Sequence, residues 1–265
     1  IKDMIMSEIE PMDIQSLYNT MMRNGMKGSS CQRLHAILRS IFRDAKDNNI
    51  VSRNIMLIVK RPKAEAPPIR FLSPEELILF MDAAKGEKAE IAVWIAAYTG
   101  IRSGEALALR WENIDLDNGL IHIVGTLKKS KAEGWKISKP KTPSSLRTIP
   151  IHEPLIGKLK EYKEKWEPNY WGLLTIGKQG RPLPKSSLTL SIKRIREKAG
   201  LNISFHGLRH SVASMLVSAN TGITDVQSLL GHANPNTTLK IYSHAQKTAK
   251  KITTEKVADI LNKLQ

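Results

Sequence analysis

One cysteine in 265 residues, Cys31, leaves no partner for an internal disulfide and no thiolate set for zinc, as a reducing cytosol would allow. A cytoplasmic location is the expectation that follows. No apolar run reaches the roughly 20 residues that cross a bilayer; the longest uncharged apolar stretch, residues 91–101, falls well short. The start, Ile1-Lys2-Asp3, has neither a signal-peptide core nor an initial Met, so a fragment of a longer chain is expected. Acid is the scarce sign of charge: 25 Asp+Glu stand against 41 Lys+Arg, a formal net charge of +16 with a pI near 9.9. Such an excess points to a polyanion, and for DNA the phosphate charge supplies much of the affinity. The alternative on charge alone is a solvated, charge-biased surface. What is present is an ordinary globular mixture, 41% hydrophobic and 25% charged, which excludes a disordered chain.

Neither a 20–50-residue repeat nor a low-complexity tract interrupts the sequence. The clearest boundary is Lys60-Arg61-Pro62-Lys63-Ala64-Glu65-Ala66-Pro67-Pro68, where three prolines and mixed charges break the periodicity. Residues 65–70 read as a linker between a small all-helical unit, 1–64, and a larger unit, 71–265. In the first, Ile14, Leu17 and Met21, and then Leu34, Ile37, Leu38, Ile41 and Phe42, have helical spacing. Ser73-Pro74-Glu75-Glu76 opens the second with an N-cap, a proline at N1 and a capping-box Glu. Helices are expected over 89–98, 103–109, 153–166, 187–199, 205–219 and 224–230. Two β-like runs, 120–124 and 147–151, flank a long lysine-rich stretch. Residues 1–65 hold 11 basic and 7 acidic side chains (+4), and the remainder 30 and 18 (+12), so both units can face the same polyanion.

Four segments could carry chemistry. In Thr99-Gly100-Ile101-Arg102-Ser103-Gly104-Glu105 an apolar helix ends and Arg102 opens the next, an anion site in form, with Glu105 placed to pair with a nearby cation. A plain surface Arg–Glu pair fits as well. Residues 128–147 hold seven basic side chains and one acid, Glu133. They read either as a basic β-hairpin lying on DNA or as a solvated loop, with Lys128, Lys129, Lys131, Lys136, Lys139 and Arg147 as the candidate DNA contacts and Lys141 held beside Pro140. In Ser204-Phe205-His206-Gly207-Leu208-Arg209-His210 a capped helix puts His206 and Arg209 at i and i+3 on its first turn. His206 and His210 have metal-ligand spacing, but the H-E-x-x-H glutamate is missing, so no metal is expected. Last, Gly231 closes a helix before His232, and Tyr242 follows ten residues later.

Arg102, Lys141, His206-x-x-Arg209, His232 and Tyr242 in this order resemble the signature of the tyrosine recombinases, the integrases of phages and conjugative transposons. The phrases that carry the resemblance are Thr-Gly-Ile-Arg-x-Gly-Glu, Pro-Lys-Thr ahead of Arg-Thr-Ile-Pro, His-Gly-Leu-Arg-His, Leu-Leu-Gly-His and Thr-Thr-Leu-x-x-Tyr-Ser-His. It covers residues 69–245 specifically and 1–64 more loosely.

The resemblance implies a mainly α fold: a helical core-DNA-binding domain, truncated at its N-terminus, before an α+β catalytic domain with a small antiparallel sheet. It implies a site-specific recombinase, needing neither metal nor ATP, that cleaves and rejoins strands through a 3′-phosphotyrosine and a Holliday junction. Tyr242 would be the nucleophile, Arg102 and Arg209 the phosphate clamp, His206 the proton acceptor, Lys141 the general acid and His232 a hydrogen-bond donor. Glu105 would hold Arg102 or an active-site histidine. The expected partners are double-stranded attachment-site DNA, three further copies of the chain in a tetramer on two duplexes, with Val257, Ile260, Leu261 and Leu264 docking on a neighbour, and a directionality factor. A type IB topoisomerase and a non-catalytic DNA-binding regulator on the same scaffold stay open as alternatives.

Overall fold

The structure is a computed structural model, and it describes residues 3–64, 70–130, 132–139 and 146–231. Lys131, Lys141, His232, Tyr242 and the apolar face at 257–264 lie outside the described residues. The chain divides into two compact units, Ile1–Pro68 and Ile69–Gln265. Among the described residues no helix is long and apolar enough to cross a membrane.

In the first unit, α1 (Pro11–Arg23) starts at a proline and is held by Asp13, whose carboxylate accepts from the Glu10 N–H at 2.9 Å. α2 (Gly28–Asp47) packs on it, and Ile14, Tyr18, Phe42, Ala45, Val51, Ile55, Met56 and Val59 form the core. The inward face of α2 runs through Cys31, His35, Phe42 and Ala45, one step round from the expected stripe, and Ile37 and Ile41 are exposed. Tyr18 and His35, 3.3 Å apart, satisfy one another inside this face.

In the second unit, α3 (Pro74–Ala83) has the expected capping box: the Glu76 N–H donates to Ser73 Oγ at 3.2 Å and the Ser73 N–H to Glu76 at 3.1 Å. α4 (Glu90–Thr99) is apolar almost all round and is buried accordingly, packed by α8 (Phe205–Ser218), α6 (Leu155–Glu164) and α3. It ends at Gly100, whose φ of +63° makes the left-handed cap that a side chain resists. α5 (Ser103–Ala106) is only one turn, shorter than the expected 103–109.

β1 (Ile114–Asp115), β2 (Leu120–Ile123) and β5 (Arg147–Pro150) form an antiparallel sheet in the order β1-β2-β5, with Ile121 facing Ile149 and Ile123 facing Arg147. The lysine-rich stretch between β2 and β5 folds as a second, separate hairpin, β3 (Thr126–Ser130) with β4 (Gly134–Ser138). α7 (Lys185–Ala199) and α9 (Ile223–Leu230) complete the unit, and one core joins α3, α4, the three-stranded sheet, α6, α7 and the start of α8. A mainly α chain with a small antiparallel sheet is the expected fold class.

Candidate active site

Three arginine side chains meet at the end of α9. Gly231 closes that helix with φ +65°, so the last carbonyls of α9 have no partner within the helix. Three arginines supply one each. Arg147 Nε donates to the Leu229 carbonyl at 2.8 Å, Arg209 Nη2 to Leu230 at 2.7 Å and Arg102 Nη2 to Gly231 at 2.6 Å. Residues more than a hundred positions apart in the chain are thereby drawn to one helix terminus.

Arg102 reaches it from the turn after Gly100. Its own N–H and its Nη1 donate to the two oxygens of Glu105, at 2.9 and 2.8 Å, which holds the guanidinium half-exposed at the surface of the turn. Glu105 is 4% exposed and also accepts from Arg147, at 2.9 and 3.3 Å. Burial alone would push its carboxyl up, but the hydrogen bonds and charge of Arg147, with those of Arg102, outweigh it and hold the group ionised below the usual carboxylate range. Sequence reasoning placed Glu105 beside one cation; the structure places it between two.

Arg209 comes from the first turns of α8. Ser204 Oγ caps that helix by accepting from the Gly207 N–H at 3.0 Å, and Gly207 lies so close to Ile203 that a Cβ would meet its Cδ1 at 2.5 Å. Arg209 is 1% exposed, with Nη1 on the Gly100 carbonyl at 2.8 Å. Burial, then the neighbouring Arg102, pull it down to about 9, which leaves it charged at neutral pH. His206, three residues earlier, does not share that burial: it is exposed, and its ring meets His210 edge-on at 4.5 Å between centroids. Partial burial, then the charges of Arg209, Arg102 and Lys185, hold His206 below the usual imidazole range. It is neutral at pH 7. His210 is pushed down to about 4, first by burial and then by His206 and Arg209, and its Nδ1 is buried without a protein partner. Among the described residues no three His, Cys, Asp or Glu side chains are grouped as metal ligands would be.

The hairpin β3–β4 presents Lys128, Lys129, Lys136 and Lys139 to solvent. Lys128 and Lys136 face one another across the strands, an unfavourable pairing of like charges that Glu133 offsets at Lys136, and Lys129 Nζ lies 5.2 Å from the centre of the Trp135 ring. Arg147 is a correction. Expected as a DNA contact on the same basic stretch, its side chain is 7% exposed and turned inward beside Glu105, so it cannot lie on a duplex. A signal for this was in the strand: Arg147 and Ile149 are two apart and must share a face, and Ile149 is buried.

The sequence profile of the phage integrase family matches residues 70–249. A tyrosine recombinase XerC-like protein of Caldanaerobacter subterraneus subsp. tengcongensis is 27% identical over 268 residues, which cover 91% of this chain and 68% of that one. The ICEBs1 integrase of Bacillus subtilis is 26% identical over 261 residues, 94% of this chain and 70% of that one. Among solved structures, the Tn1549 transposon integrase in complex with a circular intermediate DNA superposes with a TM-score of 0.79 at 20% identity, over 95% of this chain and 86% of the other, a likeness of fold.

Proposed function

The chain belongs to the phage integrase family, and from that premise we propose that it is a site-specific DNA recombinase that integrates or excises a mobile element. The observation that carries the reading is the convergence of Arg102 and Arg209 on adjacent carbonyls at the end of α9, with neutral His206 on the same first turn of α8. Two guanidiniums fixed side by side in a partly desolvated site match the charge that gathers on the non-bridging oxygens of a phosphodiester under attack.

The attacking group is assigned to Tyr242. Its phenol oxygen bonds to phosphorus as the bond to the 5′-oxygen breaks, which keeps the phosphate as an ester and releases a 5′-hydroxyl. The phenol proton passes to His206, whose lowered pKa leaves it free to accept one at pH 7, and Lys141 gives a proton to the leaving 5′-oxygen. His232 donates a hydrogen bond to the phosphate. Attack by the 5′-hydroxyl of a partner strand reverses the sequence and yields the Holliday junction.

Duplex DNA is the substrate, and the exposed Lys128, Lys129, Lys136 and Lys139, with Lys131, hold its backbone. Like charges facing across β3 and β4 are tolerable in a structure built to meet a polyanion. Four copies on two duplexes complete the exchange, each lending its apolar 257–264 face to a neighbour, under a directionality factor. The deciding experiment is incubation with a nicked suicide duplex whose core sequence is selected by binding from a randomised library. The parent protein forms a covalent adduct, and Tyr242→Phe binds the duplex without forming one. An adduct that survives in Tyr242→Phe removes that residue as nucleophile.

A further inference from the structure

Of the three arginines at the end of α9, the reaction above uses two. Arg147 is the third, the first residue of β5, driven inward by the same strand alternation that buries Ile149. A guanidinium on the core side of a strand must find its acceptors there. Among the described residues Arg147 finds both oxygens of Glu105, at 2.9 and 3.3 Å, and the Leu229 carbonyl at 2.8 Å. What it holds at each end matters. Glu105 is the carboxylate that fixes Arg102 through the backbone N–H and Nη1, and Leu229 lies in the last turn of α9, three residues ahead of His232.

We infer that Arg147 is a positioning residue for strand cleavage: it locks Glu105 in the orientation that aims Arg102, and through Leu229 it fixes the exit of α9 against that arginine. The geometry requires a fork. Lysine, a point charge, cannot span two carboxylate oxygens and a carbonyl together. The role differs from that of the exposed hairpin lysines, because a side chain 7% exposed and committed to Glu105 does not touch a duplex. It differs from a general stabilising ion pair because Glu105 holds Arg102 and Leu229 lies three residues ahead of His232, both assigned to the reacting phosphate, and a displacement of about 1 Å at such residues costs on the order of 100-fold in rate.

The inference rests on the recombinase reading, and the unsubstituted parent separates the two. Arg147→Lys and the double variant Glu105→Gln/Arg147→Gln, which removes the buried pair together, are compared with the parent on the selected suicide duplex. The single-turnover rate of adduct formation is measured at saturating duplex and divided by the duplex-bound fraction, so that only folded protein counts. Expected are duplex affinities within about 3-fold of the parent and adduct rates lower by about 100-fold in both variants. The loss should persist on a duplex with a 5′-bridging sulfur, whose leaving group needs no proton, since aim at the non-bridging oxygens is what has been lost. Rates within about 3-fold of the parent, rescue by the bridging sulfur, or duplex affinity falling in parallel with rate or lost in both variants each overturn the inference while the recombinase reading stands. A parent that forms no adduct on any selected duplex overturns both.

Discussion

Arg102 and Arg209 donate to adjacent carbonyls, Gly231 at 2.6 Å and Leu230 at 2.7 Å, from opposite conditions of solvent exposure. Arg209 is 1% exposed and also holds Gly100, whereas the side chain of Arg102 is 36% exposed. Removing the buried one strands two carbonyls away from water; removing the other strands one, at buried Gly231, and leaves Glu105 still paired with Arg147. Arg209→Ala should therefore cost about 3 kcal/mol of stability and Arg102→Ala about 1 kcal/mol, although both should abolish adduct formation. Urea unfolding of the two variants checks this, and equal midpoints would contradict it.

Gly100 is held to glycine twice over. Its φ is +63°, and a Cβ there would meet Leu230 Cδ2 at 2.4 Å, beside the carbonyl that Arg209 grips. Gly100→Ala should lose about 2 kcal/mol or more, from left-handed strain and overpacking together. Its adduct rate should fall more than its duplex affinity, because the displaced parts are Arg209 and the end of α9. Thermal melting with single-turnover cleavage is the measurement, and a variant as stable as the parent would count against the close approach.

Acid should act on the two histidines of α8 in different ways. His206 titrates below the usual imidazole range in the free fold, so at subsaturating duplex the acid limb of cleavage should lie below that range. An acid limb at or above the usual imidazole range in that subsaturating profile would count against His206 as the proton acceptor. His210 is lowered from 6.5 to about 4, so the unfolded chain binds a proton that the folded chain refuses. Its contribution to stability is whole above pH 6.5 and is lost as pH falls towards 4, by about 2 kcal/mol after allowance for partial exposure. His210→Phe should flatten that part of the stability profile in urea unfolding at pH 7.5, 6 and 5.

The hairpin lysines should appear in the salt dependence of binding. Each of Lys128, Lys129, Lys136 and Lys139 that meets a phosphate contributes about 0.9 to the slope of log affinity against log salt. Replacing Lys129 and Lys136 by Gln should lower the slope by about 2 on any duplex, selected or random. Arg147→Lys should leave it unchanged, and a fluorescence titration from 50 to 300 mM salt distinguishes the two.

Local chemistry was legible wherever one stretch of chain determines the outcome. The Ser73 capping box, the left-handed stop at Gly100, the Ser204 cap and the helical unit ahead of the prolines all depend on residues within a few positions of one another. The division of His206 from Arg209 was not legible, because an i,i+3 spacing says that two side chains are neighbours and not which of them the core will cover. The gripping of α9 was hidden for a stronger reason: its bonds join residues 129, 82 and 21 positions apart, and a carbonyl has no identity in a sequence.

Arg147 marks the limit most clearly. Read by composition it is one more cation in a basic stretch, and read by strand period it belongs inside, with Ile149. A buried cation demands a buried anion, and Glu105 was already singled out as a carboxylate in search of one. Joining the two needed only the pleat, yet charge density was the louder signal on those residues, and it described the hairpin lysines instead.

The terminus that the three arginines grip also carries charge of its own. Aligned peptide dipoles leave about half a negative charge at the C-terminus of a helix, and α9 directs that end at three guanidiniums, two of which, Arg102 and Arg147, also hold Glu105. The helix is the resting counter-ion of the site. With no phosphate bound, it lets positive groups stay close together and largely out of water, where they would otherwise repel one another or turn outward. An arriving phosphodiester then meets cations already gathered and aimed, and the electrostatic work of assembling them has been done by the fold.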